Sequence, residues 1–204
     1  MRSLLTLPVL LALLLAAPAS AQSFGLKGGL NVASFSGDDA VGSEARLGGV
    51  GGVTASFPLG QALDVQVEAL YSQKGEEYFN TEGFSETTRL EYVEVPALLR
   101  FRLPASRTLD VGLSAGGYVG VPISGEVEVD GVFANELDLN TDYGALVGVD
   151  VGSGPFYVDA RYSFGLTDAI EYDPGIDAFD LEKRNQVVSL TFGYRFGGSS
   201  DRRY

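Results

Sequence analysis

Eight stretches in which apolar and polar residues alternate with a period of two predict an all-β chain, an eight-stranded antiparallel up-and-down transmembrane β-barrel. Two further observations point the same way: connections that alternate between short and long, and an N-terminal export signal. The chain has 204 residues, a formal net charge of −13 and 27 glycines, with 45% hydrophobic residues. That hydrophobic content is too high for generic disorder, and the length suits one domain. The negative charge argues against a nucleic-acid partner, whose phosphates need clustered Lys and Arg.

Cysteine and histidine are both absent. Disulfide frameworks, thiolate or imidazole metal sites and every Ser-His or Cys-His mechanism are thereby excluded. No catalytic residue, cofactor site or metal site is expected, and the chain is not expected to be an enzyme. A lipid A-modifying barrel is a weaker alternative, because no Ser stands beside an evident base.

The first 21 residues place Arg2 before an apolar run and end in Ala19-Ser20-Ala21. This is the pattern of a cleaved signal peptide, so residues 1–21 are assigned to it and residues 22–204 to the barrel domain. A membrane anchor needs about 20 apolar residues, and this run is shorter and stops at Pro18.

The eight segments follow in order. Phe24, Leu26, Leu30 and Val32 oppose Lys27 and Asn31; Leu47, Val53, Ala55 and Phe57 oppose Arg46, Thr54 and Ser56. Leu63, Val65, Val67, Ala69 and Tyr71 oppose Asp64, Gln66, Glu68 and Lys74; Val93, Val95, Ala97, Leu99 and Phe101 oppose Tyr92, Glu94, Arg100 and Arg102. Leu109, Val111, Leu113, Ala115 and Val119 oppose Asp110, Ser114 and Tyr118; Tyr143, Ala145, Val147, Val149 and Val151 oppose Asp142, Gly148 and Asp150. Phe156, Val158, Ala160, Tyr162 and Phe164 oppose Tyr157, Asp159, Arg161 and Ser163; Val188, Leu190, Phe192, Tyr194 and Phe196 oppose Ser189, Thr191 and Arg195. Pro96 lacks a ladder donor, which predicts a bulge or a local break in the fourth segment.

Short connections fall at residues 58–61, 103–108 and 152–155, and long ones at 37–45, 75–87, 122–141 and 167–185. The long ones hold eighteen of the 27 acidic residues. Both termini then lie on the short-turn side, the periplasm of an outer-membrane barrel.

Alternation alone does not say which face is inside. Aromatic residues near segment ends, an almost charge-free apolar face, and a polar face rich in glycine and in both charge signs favour apolar-out. The interior would then hold Lys27, Arg46, Asp64, Glu68, Lys74, Glu94, Arg100, Arg102, Asp110, Asp142, Asp150, Asp159, Arg161 and Arg195, seven of each sign. Such balance is what a sealed polar core requires.

Several stretches also carry a resemblance. Residues 25–31 (GLKGGLN), 68–75 (EALYSQKG), 92–100 (YVEVPALLR), 142–144 (DYG), 161–168 (RYSFGLTD) and 193–196 (GYRF) occur in this order. In these the chain resembles the small outer-membrane β-barrel family of Bacteroidota, the PorT-like or porin-family proteins, across residues 24–196. The resemblance implies an eight-stranded barrel in the outer membrane, without a defined activity for most members. Residues 197–204 extend past the terminal aromatic strand, where many such barrels end.

The expected role is a structural or interaction scaffold, displaying acidic loops from the outer membrane of a Gram-negative bacterium. A sealed interior is preferred over a small porin-like channel, because eight strands enclose a space that side chains fill. A soluble, lipocalin-like ligand-binding barrel, with the faces reversed, is the remaining alternative. The expected partners are outer-membrane lipid and lipopolysaccharide, and the insertion machinery reading the strand Val188, Leu190, Phe192, Tyr194 and Phe196. A solvated acidic surface is the plainer reading of the loops and divalent-cation bridging the sharper one, since no spaced calcium loop is present.

Overall fold

The computed structural model describes residues 23–36, 43–79, 85–106, 108–129, 132–136, 139–167 and 184–196. Residues 1–21, expected to be a signal peptide, the 197–204 extension and much of the acidic loops lie outside these residues. The described residues form nine strands and no helix: β1 (Ser23–Ser36), β2 (Ser43–Pro58), β3 (Leu63–Phe79), β4 (Ser85–Pro104), β5 (Asp110–Val129), β6 (Val132–Glu136), β7 (Asp142–Ser153), β8 (Phe156–Gly165) and β9 (Arg184–Phe196). All strands except β6 close into one antiparallel barrel, with β1 paired to both β2 and β9 and β4 to β5. Closure leaves no barrel strand with a free edge, the condition for crossing lipid.

The stagger follows from the pairing. Phe24 faces Ala55, then Val67, Ala97, Gly117, Ala145, Phe164 and Gln186 in turn, and Gln186 faces Ser34. One circuit therefore returns to β1 ten residues along. With the ordinary rise and spacing of strands this sets a tilt of about 40° and a backbone radius of about 8 Å. At that tilt roughly ten residues cross an apolar band about 25 Å tall. The shortest barrel strand, β8, has 10 residues.

Turns between β2 and β3, β4 and β5, and β7 and β8 are short and lie at the end where β1 begins and β9 finishes. Gly154, at φ +60°, supplies the left-handed residue of the two-residue turn to β8. At the other end the strands run further than the alternation predicts. β3 reaches Phe79, β4 starts at Ser85, β5 runs to Val129, and β6 pairs with β5 beyond the barrel wall. The alternation of Glu126-Val127-Glu128-Val129 continues β5 into the stretch expected to be a connection.

Pro96 causes a break and no bulge. Pairs between β3 and β4 stop at Val67–Ala97 and resume in the same register at Leu70–Glu94, while Pro96 faces Tyr118 on β5. The register shifts between Glu91 and Tyr92 on β4, and between Ala45 and Val50 on β2.

Candidate functional site

The orientation of the wall follows from what each face exposes. Leu30, Leu47, Val53, Leu99, Leu113, Val147, Val158 and Leu190 all point outward, Leu47 with 61% and Leu190 with 58% of its surface uncovered. Phe24, Phe101, Phe156, Tyr194 and Phe196 gather on the outer wall toward the short-turn end, and Tyr71 and Tyr143 toward the other. An exposed apolar band flanked by aromatic residues is the surface a bilayer covers, far larger than a soluble monomer presents. Inside are charges, so the lipocalin-like alternative, which requires an apolar pocket, does not hold.

Thirteen of the fourteen residues expected inside form three ion groups along the barrel axis. Nearest the short turns, Arg100 donates through Nε and Nη2 to the two oxygens of Asp150 at 2.6 and 2.5 Å, and through Nη2 to Asp110 at 2.9 Å. Asp64 accepts from Arg100 Nη1 at 3.4 Å and from Arg102 Nε at 2.7 Å. Arg195 reaches Asp150 at 3.1 Å and Asp110 at 3.3 Å, its guanidinium 4.2 Å from the Tyr157 ring centre. Three arginines therefore oppose three aspartates.

In the second group Arg161 presents both terminal nitrogens to Glu68, each at 2.7 Å, and its Nε lies 2.8 Å from Asp159. Lys27 stands 3.1 Å from Glu68 and 3.4 Å from Asp159. Two cations meet two carboxylates. The third group is Lys74, 2.5 Å from Glu94 and 2.9 Å from Asp142. Tyr118 and Asn185 also donate to Asp142, and the Lys74 ammonium lies over the Tyr92 and Tyr118 rings.

Arg46 departs from the expectation. Its Nη1 donates to the Lys74 carbonyl at 2.8 Å, and it forms no ion pair among the described residues. The charges acting on it belong to Arg89, Glu77, Glu128 and Glu91. Arg89 is exposed, and Arg46 also acts on Tyr71, exposed on the outer wall. Arg46 faces the buried Ala33 on β1 and lies at the register shift of β2 against β3. The three ion groups thus hold six of the seven expected cations and all seven expected carboxylates, and the third group sets one cation against two carboxylates.

Alternation also missed a neutral layer. Leu70, Pro96, Leu98 and Leu146 occupy inner positions between the charged ones on β3, β4 and β7, and are buried with Val50 and Tyr118. Next to them Asn31 donates to Ser72 at 3.0 Å and accepts from Ser189 at 2.8 Å. The signal was present as apolar residues on the polar parity, where a filled barrel needs volume as well as charge. A void of about 20 Å³ remains among Lys27, Leu70, Glu94, Pro96, Leu146 and Arg161. It has room for about one water and no solute.

In β9 Val188, Leu190, Phe192, Tyr194 and Phe196 lie on the outer wall, while Asn185, Val187 and Thr191, at the alternate positions, are buried. The β9 rings pack with Phe156, at 5.8 Å from Phe192 and 5.2 Å from Tyr194.

The family comparison agrees with this geometry. The sequence pattern of the outer membrane protein β-barrel domain family matches residues 19–171. Among solved structures, Neisserial surface protein A is similar at 13% identity and a TM-score of 0.54, over 85% of this chain and 97% of that one. Ail of Yersinia pestis aligns at 14% identity and a TM-score of 0.48, over 85% and 98%. OprG of Pseudomonas aeruginosa aligns at 14% and 0.48, over 86% and 96%. Comparison with curated proteins finds no match. The likeness to Neisserial surface protein A is one of fold. The chain is a β-barrel of the outer membrane and belongs to the outer membrane protein β-barrel domain family.

Proposed function

We propose that the protein is an integral scaffold whose sealed barrel holds acidic loops at the outer face of the outer membrane. The observation that carries this is the pairing of an apolar outer belt with an ion-paired, filled interior. A wall of that kind anchors in lipid, and such a core conducts nothing larger than a proton or a water. The work is left to the external loops, rich in Asp and Glu. In this reading residues 1–21 are removed on export, residues 22–204 form the mature domain, and the chain sits with the PorT-like barrels of Bacteroidota. It has no enzymatic role. Its lasting neighbours are outer-leaflet lipid and lipopolysaccharide, and β9 serves the insertion machinery as its signal. The loop carboxylates keep the surface solvated, with divalent-cation bridging to lipid phosphates a secondary use.

Two measurements test this. Expressing cells are fractionated and the membrane protein is run on gels with and without boiling: a folded barrel in the outer-membrane fraction shifts on heating, whereas a soluble periplasmic monomer overturns the proposal. Planar-bilayer recordings of the refolded protein give no single-channel steps; reproducible steps establish the porin reading in its place.

A further inference from the structure

We propose that Lys74 and Asp142 join covalently: in the folded barrel the Lys74 amine condenses with the Asp142 side-chain carboxyl, promoted by Glu94, to make an amide cross-link between β3 and β7. The three side chains meet inside the wall. Lys74 Nζ lies 2.9 Å from Asp142 Oδ2 and 2.5 Å from Glu94 Oε1. Lys74 and Asp142 are fully buried. Nζ stands 5.2 Å and 4.7 Å from the ring centres of Tyr92 and Tyr118, so aromatic faces take the place of water around the amine. An amine fixed against a carboxyl has the advantage of an intramolecular reaction, worth an effective concentration of about 10⁵–10⁸ M where the alignment is good.

The surroundings fit the step. Asp142 Oδ2 accepts from the Tyr118 hydroxyl at 3.2 Å and from Asn185 Nδ2 at 2.9 Å, two uncharged donors placed where negative charge grows as nitrogen adds to Cγ. Glu94 takes a proton from the ammonium and delivers it to Oδ1, which no hydrogen bond holds among the described residues. The freed lone pair forms the N–Cγ bond, and a second proton follows the same route. The Cγ–Oδ1 bond then breaks, its electron pair leaving with the oxygen as water. Nitrogen keeps one hydrogen, Glu94 ends as the carboxylate it was, and a neutral amide replaces a buried ammonium and carboxylate whose burial is costly. Lys27 lacks these conditions, because its carboxylates, Glu68 and Asp159, are both held by Arg161, which keeps them charged and unreactive. The bond ties two strands that are not neighbours, across 68 positions of the chain.

The test is mass spectrometry of the full chain, purified from outer membranes, unfolded and digested with trypsin. The expected product is a joined pair of peptides carrying Lys74 and Asp142, lighter than their sum by one water, about 18 Da. Cleavage after Lys74 is lost, and cleavage after Lys27 is normal. Chain produced unfolded and refolded from urea into detergent acquires the link only on folding, and Glu94→Gln, which keeps the shape without the proton carrier, folds without it. Should Glu94→Gln fail to fold, the comparison of wild-type chain in urea with the same chain refolded decides. Folded wild-type barrel that is cleaved after Lys74 and yields the two peptides separately overturns the proposal. So does a link that forms equally in urea, or one from Lys74 to Asn185, marked by loss of ammonia in place of water.

Discussion

Glu68→Gln is the sharpest probe of the ion-paired interior. Glu68 is 2% exposed and is held by both terminal nitrogens of Arg161 at 2.7 Å and by Lys27 at 3.1 Å. Glutamine keeps the size but removes the charge, leaving Lys27 and Arg161 to share Asp159 alone. Breaking a buried pair from one side costs about 3–5 kcal/mol, because a buried charge is left uncompensated. That lowers the folded-to-unfolded ratio by between two and four powers of ten. The chain has no tryptophan, so the fraction folded is read from unheated gels after urea titration in lipid vesicles. Glu68→Gln combined with Arg161→Met leaves Lys27 facing Asp159, a balanced pair, and recovers part of the loss, with a coupling of about 1–3 kcal/mol. A single-variant cost below about 1 kcal/mol, the range of exposed pairs, with strictly additive double-variant losses, would mean that water reaches this group and that the interior is not sealed.

Arg102→Ala costs far less than Glu68→Gln under the same titration, about 1 kcal/mol or below, because Arg102 is partly exposed and Arg100 still pairs with Asp64. Leu190→Arg places a charge on the outer wall near mid-height and lowers stability by about 2–4 kcal/mol in vesicles; no loss there would mean that this face does not meet lipid. Gly193→Ala puts a Cβ 2.2 Å from Cζ of Tyr157 and destabilises by about 1–3 kcal/mol. The penalty disappears in a Tyr157→Ala background, which the same gel assay reads as a double-variant cycle.

Much of the architecture was legible in the residues, because a strand shows its two faces at every second position. Val147, Val149 and Val151 announce an outward file whatever they pack against, as do Phe192, Tyr194 and Phe196. Where the backbone leaves regular pairing the parity rule fails. Arg46 lies at the β2 register shift and donates to a backbone carbonyl where parity suggests an ion pair. The alternation of Glu126-Val127-Glu128-Val129 continues in β5, within a stretch that the run of residues 122–141 presents as a connection.

The choice of partners across the barrel was beyond any sequence pattern. Glu68 and Arg161 stand 93 positions apart, and Lys27 and Asp159 stand 132 apart. Nothing local links either pair: Glu68 on β3 meets Arg161 on β8 across the barrel, four strands away, and Lys27 on β1 meets Asp159 on β8 past the intervening β9. By itself the sequence determined the eight barrel strands, the closed antiparallel class, the polar and apolar faces and the charges available for the core, though not β6. The tertiary structure decided which face meets lipid, which charges pair, where Leu70, Pro96, Leu98 and Leu146 interrupt them, and that Lys74 faces two carboxylates alone. Alternation is a property of one strand, whereas charge pairing depends on the register of all eight.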